Sequence, residues 1–236
     1  CPSAYVSNMG AIEEQVYTSD ASFPAGVQLV GVPPPQGWIF YYNGCCRNPC
    51  TNITNAPTLD WFLRAIMYPY NNQPANPCFD SSPKFAEVPS TVICTGYPFS
   101  YNHNAWDSEL DSLTFDWAPP LITVNQPVVS YAPGYNYMSP LPGPMHNPNN
   151  IAANVNHNTG EISFTSYTQG AFVTVIKVTA YKCGIKVAEI FREMQIVLLA
   201  CGNNGPPSVT APFIDPNTGL YTSYVDTVWA GDQINF

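Results

Sequence analysis

Basic side chains are scarce in this sequence. Of 236 residues only 7 are Lys or Arg, against 16 Asp or Glu, and the formal net charge is -9. A surface this acidic has nothing with which to neutralise phosphates, so nucleic-acid binding is excluded as an expected function. Long apolar runs are also lacking: no stretch approaches the ~20 apolar residues that cross a bilayer, and the most apolar segment, 196–201, has the length of a strand.

The residues that are abundant favour β structure. Hydrophobic residues make up 45% of the chain and aromatic residues 14%, which is enough to bury a core and argues against global disorder. The 25 Pro residues interrupt helices and strands alike, so short strands joined by many turns are favoured over long helices. We therefore expect an all-β fold of antiparallel β-sandwiches.

The 8 cysteines, an even number in an acidic and Lys-poor chain, indicate an oxidising environment outside the cytoplasm. We expect an extracellular or cell-surface location and disulfides at all of them: Cys1, Cys45, Cys46, Cys50, Cys78, Cys94, Cys183 and Cys201. Adjacent cysteines do not readily bond each other, so Cys45 and Cys46 should take different partners, and the connectivity stays open. Zinc bound by Cys45, Cys46, Cys50 and Cys78 is the weaker alternative, because the spacing is not that of a zinc ribbon and no His lies beside it.

Turn-forming residues divide the chain into three expected domains. Residues 71–83 are almost all turn formers, and 202–207 form a second such stretch. We expect a β-rich, disulfide-containing domain at 1–79, a complete sandwich at 80–201, and a linker with the start of a further β domain at 202–236. This organisation is typical of a piece of a longer tandem array.

Alternation of apolar and polar residues predicts most strands of the middle domain. The clearest are two long strands, 171–181 and 185–199, joined by a tight turn into a hairpin. The apolar phase changes within the second strand, which predicts a β-bulge near Glu189. The pattern predicts a long loop at 119–158, and the run 57–67 fits a helix and a strand equally well.

Six motifs, taken in order, resemble those of a known class of surface proteins. They are Gly-Cys-Cys-Arg-Asn-Pro at 44–49, the acidic segment 102–113, Tyr-Ala-Pro-Gly-Tyr at 131–135, Ser-Pro-Leu-Pro-Gly at 139–143, Asn-Thr-Gly-x-Ile-x-Phe at 158–164, and Phe-Arg-Glu-Met-Gln at 191–195. Together they resemble the repetitive ectodomains of very large surface proteins of gliding bacteria, which are exported by the type IX route. The resemblance covers most of 38–236 and implies tandem immunoglobulin-like sandwiches of the PKD and cadherin-like type.

The same resemblance implies a non-enzymatic structural and adhesive role, as a rigid stalk or filament module in surface adhesion and gliding motility. The expected partners are neighbouring domains of the same long chain and surface glycans or other cell-surface proteins, with no nucleic acid and no membrane span. Two alternatives stay open. One is a carbohydrate-binding module, and the other is a fibre subunit whose segment from Pro206 pairs as a strand with the next molecule.

Three carboxylates at alternating positions, Asp107, Glu109 and Asp111, form the candidate metal site. In an extended segment they would point the same way and converge on Ca²⁺, which prefers oxygen ligands. In cadherin-like modules the corresponding segment contributes calcium ligands, although here Leu110 stands where Gly is usual. The alternative is a solvated acidic turn in front of a strand.

A long Pro-rich loop carries the candidate ligand-binding residues, Tyr131, Tyr135 and Tyr137. Exposed tyrosines stack on sugars and form contacts with few rotamers to freeze, so the loop is a candidate glycan site. The alternative, which we favour, is that the three side chains cap the end of the sandwich or line the interface between domains.

Short patterns mark three candidate glycosylation sites. Asp-Ser-Leu at Ser112 and Asp-Thr-Val at Thr227 resemble the sites of bacterial O-glycosylation. Asn52-Ile53-Thr54 is an N-glycan sequon, which matters only in a host that uses it.

Catalytic motifs are missing from the sequence. There is no nucleophile elbow, no His-x-x-x-His or Cys-x-x-Cys metal motif and no phosphate loop. Carboxylates confined to one turn do not form the opposite walls of a glycosidase cleft. His103, His146 and His157 lie in Asn-rich turn sequences, where we expect them at the surface. The chain is therefore expected not to be an enzyme.

Overall fold

The computed structural model describes residues 29–75, 79–87, 89, 92–201 and 218. Within these residues the fold is all-β, which confirms the predicted fold class, and its antiparallel sheets are consistent with a β-sandwich. The strands are β1 Trp38–Gly44, β2 Trp61–Met67, β3 Lys84–Phe85, β4 Val92–Cys94, β5 Pro98–Asn102, β6 Ala105–Trp106, β7 Ser112–Trp117, β8 Leu121–Thr123, β9 Gln126–Pro127, β10 Ile151–Val155, β11 Glu161–Thr165, β12 Gly170–Lys182 and β13 Ile185–Leu199, and a 3-10 helix spans Ala56–Thr58.

An eight-stranded sheet forms the larger layer. Its order is β7-β12-β13-β2-β8-β9, with β1 paired to β2 and β4 paired to β13. The long hairpin of β12 and β13, with 13 and 15 residues, lies at its centre. The β4–β13 pair is parallel, and the other strand pairs described in this sheet are antiparallel.

A three-stranded sheet, β10-β11-β5, packs against one face of the larger sheet. Ile162 and Phe164 of β11 meet Phe172 and Ile176 of β12 in the main core. Successive residues of a strand point to opposite faces. Val173 therefore leaves this core and packs on the other face of the sheet, in a smaller cluster with Ile53, Ala56 and Val128.

The central hairpin follows the sequence prediction closely. Its turn has only two residues, Cys183 and Gly184, with φ of 50° and 80°, the left-handed conformations that match the twist of paired strands. The register shifts opposite Ala180 and Tyr181, so that Val187 is the extra residue of a bulge. The predicted bulge near Glu189 is thus present, two residues earlier.

The boundary expected near residue 80 does not separate two bodies. The described residues before Ala200 belong to one compact unit, and β2 pairs with β13 in the same sheet. The turn formers at 71–83 mark a change of chain direction between strands rather than the end of a domain. A second unit begins at Ala200, and of it the structure describes only Ala200, Cys201 and Thr218.

Two local assignments were open or incomplete at the level of sequence. The ambiguous run 57–67 contains a strand, β2, which is bordered by β1 on one side and by β13 and β8 on the other. The stretch 119–158, predicted to be a loop, contains the short strands β8, β9 and β10. In the part of the chain that the structure describes, no helix is long and apolar enough to span a membrane.

Candidate functional site

Two of the six sequence motifs meet in the folded protein. Arg47, from the motif at 44–49, lies against Glu193, from the motif at 191–195. Its guanidinium also donates to the backbone carbonyls of Asp60 and Leu121, so one buried side chain connects four segments. Burial raises the pKa of the Glu193 carboxyl, and the Arg47 charge opposes this rise. Gln195 adds a hydrogen bond from Nε2 to the carbonyl of Pro49, 2.8 Å away.

This junction borders an open pocket of about 350 Å³. Its walls include the Cys45–Cys46 pair, Asn48, Trp61 and Gln195. Trp61 packs edge-on against Tyr42, with ring centroids 5.7 Å apart. Arg47 and Glu193 lie in the wall but are engaged with each other, so they are not free to bind a ligand.

Cys45 and Cys46 form a disulfide with each other. The expectation that they take different partners is therefore wrong for this pair. The peptide bond between them is cis, and their Cα atoms lie 3.1 Å apart, so the two side chains are brought together within one dipeptide.

The other cysteines divide into bonded and free. Cys94 and Cys201 are disulfide-bonded, as predicted. Cys50 and Cys183 carry free thiols, so disulfides at these positions were wrongly predicted. Cys50 is held beside the carbonyl of Ile53, and Cys183 occupies the exposed tip of the hairpin, where the tight turn rather than a covalent bond sets its position. Cys1 and Cys78 lie outside the described residues.

Asn52 is completely buried on the opposite face of the central hairpin. Its Nδ2 donates to the carbonyls of Pro140 and Val173 at 2.9 and 2.8 Å, and its Oδ1 accepts the N–H of Val173 at 3.0 Å. The amide therefore connects the loop after β1 to β12 and to the motif at 139–143. The sequon at Asn52 is a structural element of the folded protein, because no part of the side chain reaches solvent.

The acidic segment is a turn, not the extended run that the calcium prediction assumed. Asp107 Oδ1 accepts the backbone N–H groups of Glu109 and Asp111 at 2.9 and 3.2 Å, which folds the chain back on itself. Leu110 takes the left-handed φ of 62°. The Glu109 carboxylate accepts hydrogen bonds from the hydroxyl of Ser81, which lowers its pKa.

A lysine lies between Asp111 and a carboxylate that the sequence did not single out. Lys182 Nζ is 3.0 Å from Asp111 Oδ2 and 3.2 Å from Asp80 Oδ1. Burial and the neighbouring Asp111 raise the pKa of Asp80 to about 6. Among the described residues no group of three or more His, Cys, Asp or Glu is arranged to hold a metal ion. Calcium at Asp107, Glu109 and Asp111 stays a prediction.

The three candidate tyrosines have different environments. Tyr131 packs in the cluster around Ile53, and burial raises its pKa to about 12. Tyr135 stacks on His146 at a centroid distance of 4.0 Å and lies beside Phe172. Tyr137 is 40% exposed. Two of the three rings thus pack against the body of the protein, and sugar binding at this loop stays a prediction.

The histidines are placed differently from the expectation in one case. His157 is exposed and contacts Asp116. His146 stacks on the ring of Tyr135. His103, in contrast, is completely buried between Phe85 and Tyr101. Burial and the Arg192 charge lower its pKa to about 4. Its Asn-rich context gave no sign of this, because the aromatic residues that cover it come from separate strands.

Ser112, a predicted O-glycosylation site, is exposed at the start of β7 and donates to the carbonyl of Tyr181. Thr227 lies outside the described residues.

Nothing in the sequence indicated Asp80 and Lys182 as site residues. Asp80 lies in a turn-rich stretch, and Lys182 lies at the end of a hairpin strand. Only the pairing of β7 with β12 brings Asp111 and Lys182 together.

No protein-family model matches the chain, and comparison with curated proteins and with solved structures finds no match. The function must therefore be inferred from the residues and their geometry.

Proposed function

We propose that this protein is a non-enzymatic structural and adhesive segment of a large exported cell-surface protein, built of tandem immunoglobulin-like sandwiches. Its role is mechanical: it transmits force along a stalk or filament used in surface adhesion and gliding. Its partners are neighbouring domains of the same chain. The resemblance of the six motifs supports this proposal, and so does the path that the chain takes through the sheet.

One geometric relationship supports the mechanical role. Trp38, at the start of β1, pairs with Met67 of β2, which in turn pairs with Ala188 of β13. The chain therefore enters the sheet level with Ala188 and leaves it at Leu199, the end of β13. At ~3.3 Å per residue, entry and exit are separated by roughly 35 Å along the strands. Tension between these two points runs parallel to the strands, so the ladder hydrogen bonds are loaded together rather than one after another.

The exit point is held on both sides. Leu198 pairs with Gly170 of β12 and, in the parallel direction, with Ile93 of β4. Thr95 N–H adds a hydrogen bond of 2.8 Å to the carbonyl of Leu199. To separate the last residues of β13 from the sheet, the hydrogen bonds to both β12 and β4 must therefore break.

Single-molecule force spectroscopy tests this role. The full chain, flanked by marker domains, is pulled by its two ends, and the unfolding forces are compared with those measured by pulling between its N-terminal end and a handle attached at Cys183. Cys183 lies at the hairpin tip, at the end of the sheet where the chain enters, so this second direction opens the sheet across its strands. We expect the higher force for end-to-end pulling.

Equal forces in the two directions would contradict the mechanical role. Export is tested separately, by treating intact cells with a protease and looking for fragments of the chain in the supernatant. Fragments that appear only after lysis would contradict a cell-surface location.

A further inference from the structure

A lysine and two aspartates from distant parts of the chain meet next to the central hairpin. Asp80 precedes β3, Asp111 precedes β7, and Lys182 ends β12. Lys182 Nζ lies 3.2 Å from Asp80 Oδ1 and 3.0 Å from Asp111 Oδ2. The side chains of Lys182, Asp80 and Asp111 are only 17%, 2% and 8% exposed.

Apolar side chains surround Lys182, Asp80 and Asp111. Tyr70 and Phe79 stack with ring centroids 6.0 Å apart and pack against the buried cluster of Ala180, Val187 and Ala188. Phe79 is the neighbour of Asp80 in the chain. An amine and a carboxyl held in contact away from bulk water have the proximity that favours reaction between them, and little water is present to reverse it.

A third buried carboxylate, Asp107, lies next to this group. Asp107 is 5% exposed, and its Oδ1 accepts the backbone N–H of Asp111 at 3.2 Å. Its Oδ2 is buried and has no hydrogen-bond partner among the described residues. Three buried carboxylates with one lysine exceed what a simple ion pair requires, because each buried charge that is not fully compensated is costly.

We propose that Lys182 and Asp80 become joined by an amide bond between their side chains, with Asp111 as the proton acceptor. Asp80 is the acyl partner because its side chain is the most buried of the three, and burial favours the uncharged carboxylic acid. Asp111 takes the proton because its oxygen is the nearer of the two to Nζ.

The reaction needs no oxidant or co-reactant. The ammonium of Lys182 gives a proton to the Asp111 carboxylate, and the resulting amine attacks Cγ of the Asp80 carboxylic acid to form a C–N bond. Asp111 relays a nitrogen proton to the Asp80 hydroxyl group, the C–O bond breaks, and one water molecule leaves. The products are a neutral amide, water and a protonated Asp111, so atoms and charge balance.

Such a bond goes beyond the proposed function, because it fastens the segment 79–87 to the central hairpin whatever load the protein carries.

Mass spectrometry detects the amide bond directly. After reduction and alkylation of cysteines, the intact chain should be lighter than its sequence by one water. Trypsin cannot cut after an acylated lysine, so digestion should give the fragment 65–84 joined to the fragment 178–186.

Variants assign the roles. Lys182→Arg keeps the charge but should restore the full mass. Asp80→Asn should give the same amide with loss of ammonia instead of water. Asp111→Asn should leave most of the chain at full mass. Lys186→Arg is the matched control, since Lys186 forms a similar 3.2 Å pair with Glu189 that the reaction does not use, and it should keep the mass loss.

A wild-type chain with the full sequence mass would overturn the proposal, even if every variant failed to fold. That result would leave the mechanical role untouched, because the role is measured by unfolding force. Conversely, a joined fragment pair together with equal forces in the two pulling directions would support the amide and contradict the mechanical role.

Discussion

Arg47 and Glu193, which are 146 residues apart in the chain, form a buried two-pronged ion pair, with Nε 2.9 Å from Oε1 and Nη2 3.0 Å from Oε2. The planar guanidinium faces the planar carboxylate with two parallel hydrogen bonds, and two further N–H groups of Arg47 donate to the backbone carbonyls of Asp60 and Leu121. The loop after β1 is thereby fixed to the centre of β13.

Replacing Arg47 alone should be strongly destabilising. Arg47→Met leaves the Glu193 carboxylate buried without its partner, which costs about 3–5 kcal/mol of unfolding free energy. Urea denaturation monitored by tryptophan fluorescence measures the change. The double variant Arg47→Met/Glu193→Leu removes both charges and should recover most of the loss. A double variant as unstable as the single one would contradict this account.

Asn52→Ala should reduce the unfolding free energy by about 3 kcal/mol, since it leaves three buried backbone groups of Pro140 and Val173 without partners. Asn48→Ala is the control, because Asn48 is exposed and makes one long contact of 3.4 Å to Gln195. Its effect should stay within about 0.5 kcal/mol. Similar losses in the two variants, measured by thermal melting, would refute the role assigned to Asn52.

His103 should make the protein sensitive to mild acid. Its pKa is lowered to about 4 in the folded state by burial, against 6.5 for the ordinary side chain. Above pH 6.5 the ring is neutral in both states. As the pH falls from 6.5 to 4, the unfolded chain binds a proton that the folded chain does not, so stability decreases, by at most about 3 kcal/mol.

Asp80 has the opposite effect on stability. Its pKa is about 6 in the folded protein, against 3.8 for the ordinary side chain, so the folded chain binds this proton first and stability rises as the pH falls from 6 to 3.8. If the amide with Lys182 forms, Asp80 no longer titrates and this contribution is lost. Comparison of wild type with His103→Leu isolates the histidine. The variant should lose less stability than wild type between pH 6.5 and 4, as measured by urea denaturation. Parallel pH profiles would show that His103 is not responsible.

Two glycines with positive φ should respond differently to substitution. At Gly160, with φ of 73°, an added Cβ would lie 2.5 Å from the ring of Phe115. At Gly184, with φ of 80°, nothing lies within 4 Å. Gly184→Ala should cost only the left-handed strain of about 1–2 kcal/mol, whereas Gly160→Ala adds a steric conflict worth about 1–3 kcal/mol more. Thermal melting of the two variants gives the comparison, and equal melting temperatures would contradict it.

Local sequence patterns predicted the parts of the fold that depend on neighbouring residues. Alternation identified β12 and β13, and the change of apolar phase located the bulge to within two residues. The run that became β2 could not be assigned, because its side chains are buried or half-buried on both faces of the sheet and so lack a clean alternation of apolar and polar residues. Its partners β1 and β13 are not encoded in its own pattern.

The site residues, too, could not be grouped from local sequence patterns alone. Both motifs that carry the Arg47–Glu193 pair stand out in the sequence, but nothing in either motif indicates that they meet. The hydrogen bonds of Asp107 turned the acidic segment, which looked extended, and Lys182 came next to Asp111 only through strand pairing. Contacts between segments this distant depend on the register of the whole sheet, which a local pattern does not specify.

The burial of Asn52 has a consequence for producing this protein. In a eukaryotic secretory host, the Asn-Ile-Thr sequon is accessible on the nascent chain before folding, and a glycan attached there cannot be accommodated in a fully buried position. The modified chains would be unable to close the loop after β1 over β12 and would be retained or degraded. Bacterial expression, or Thr54→Val in a eukaryotic host, avoids this obstacle while leaving the Asn52 amide in place.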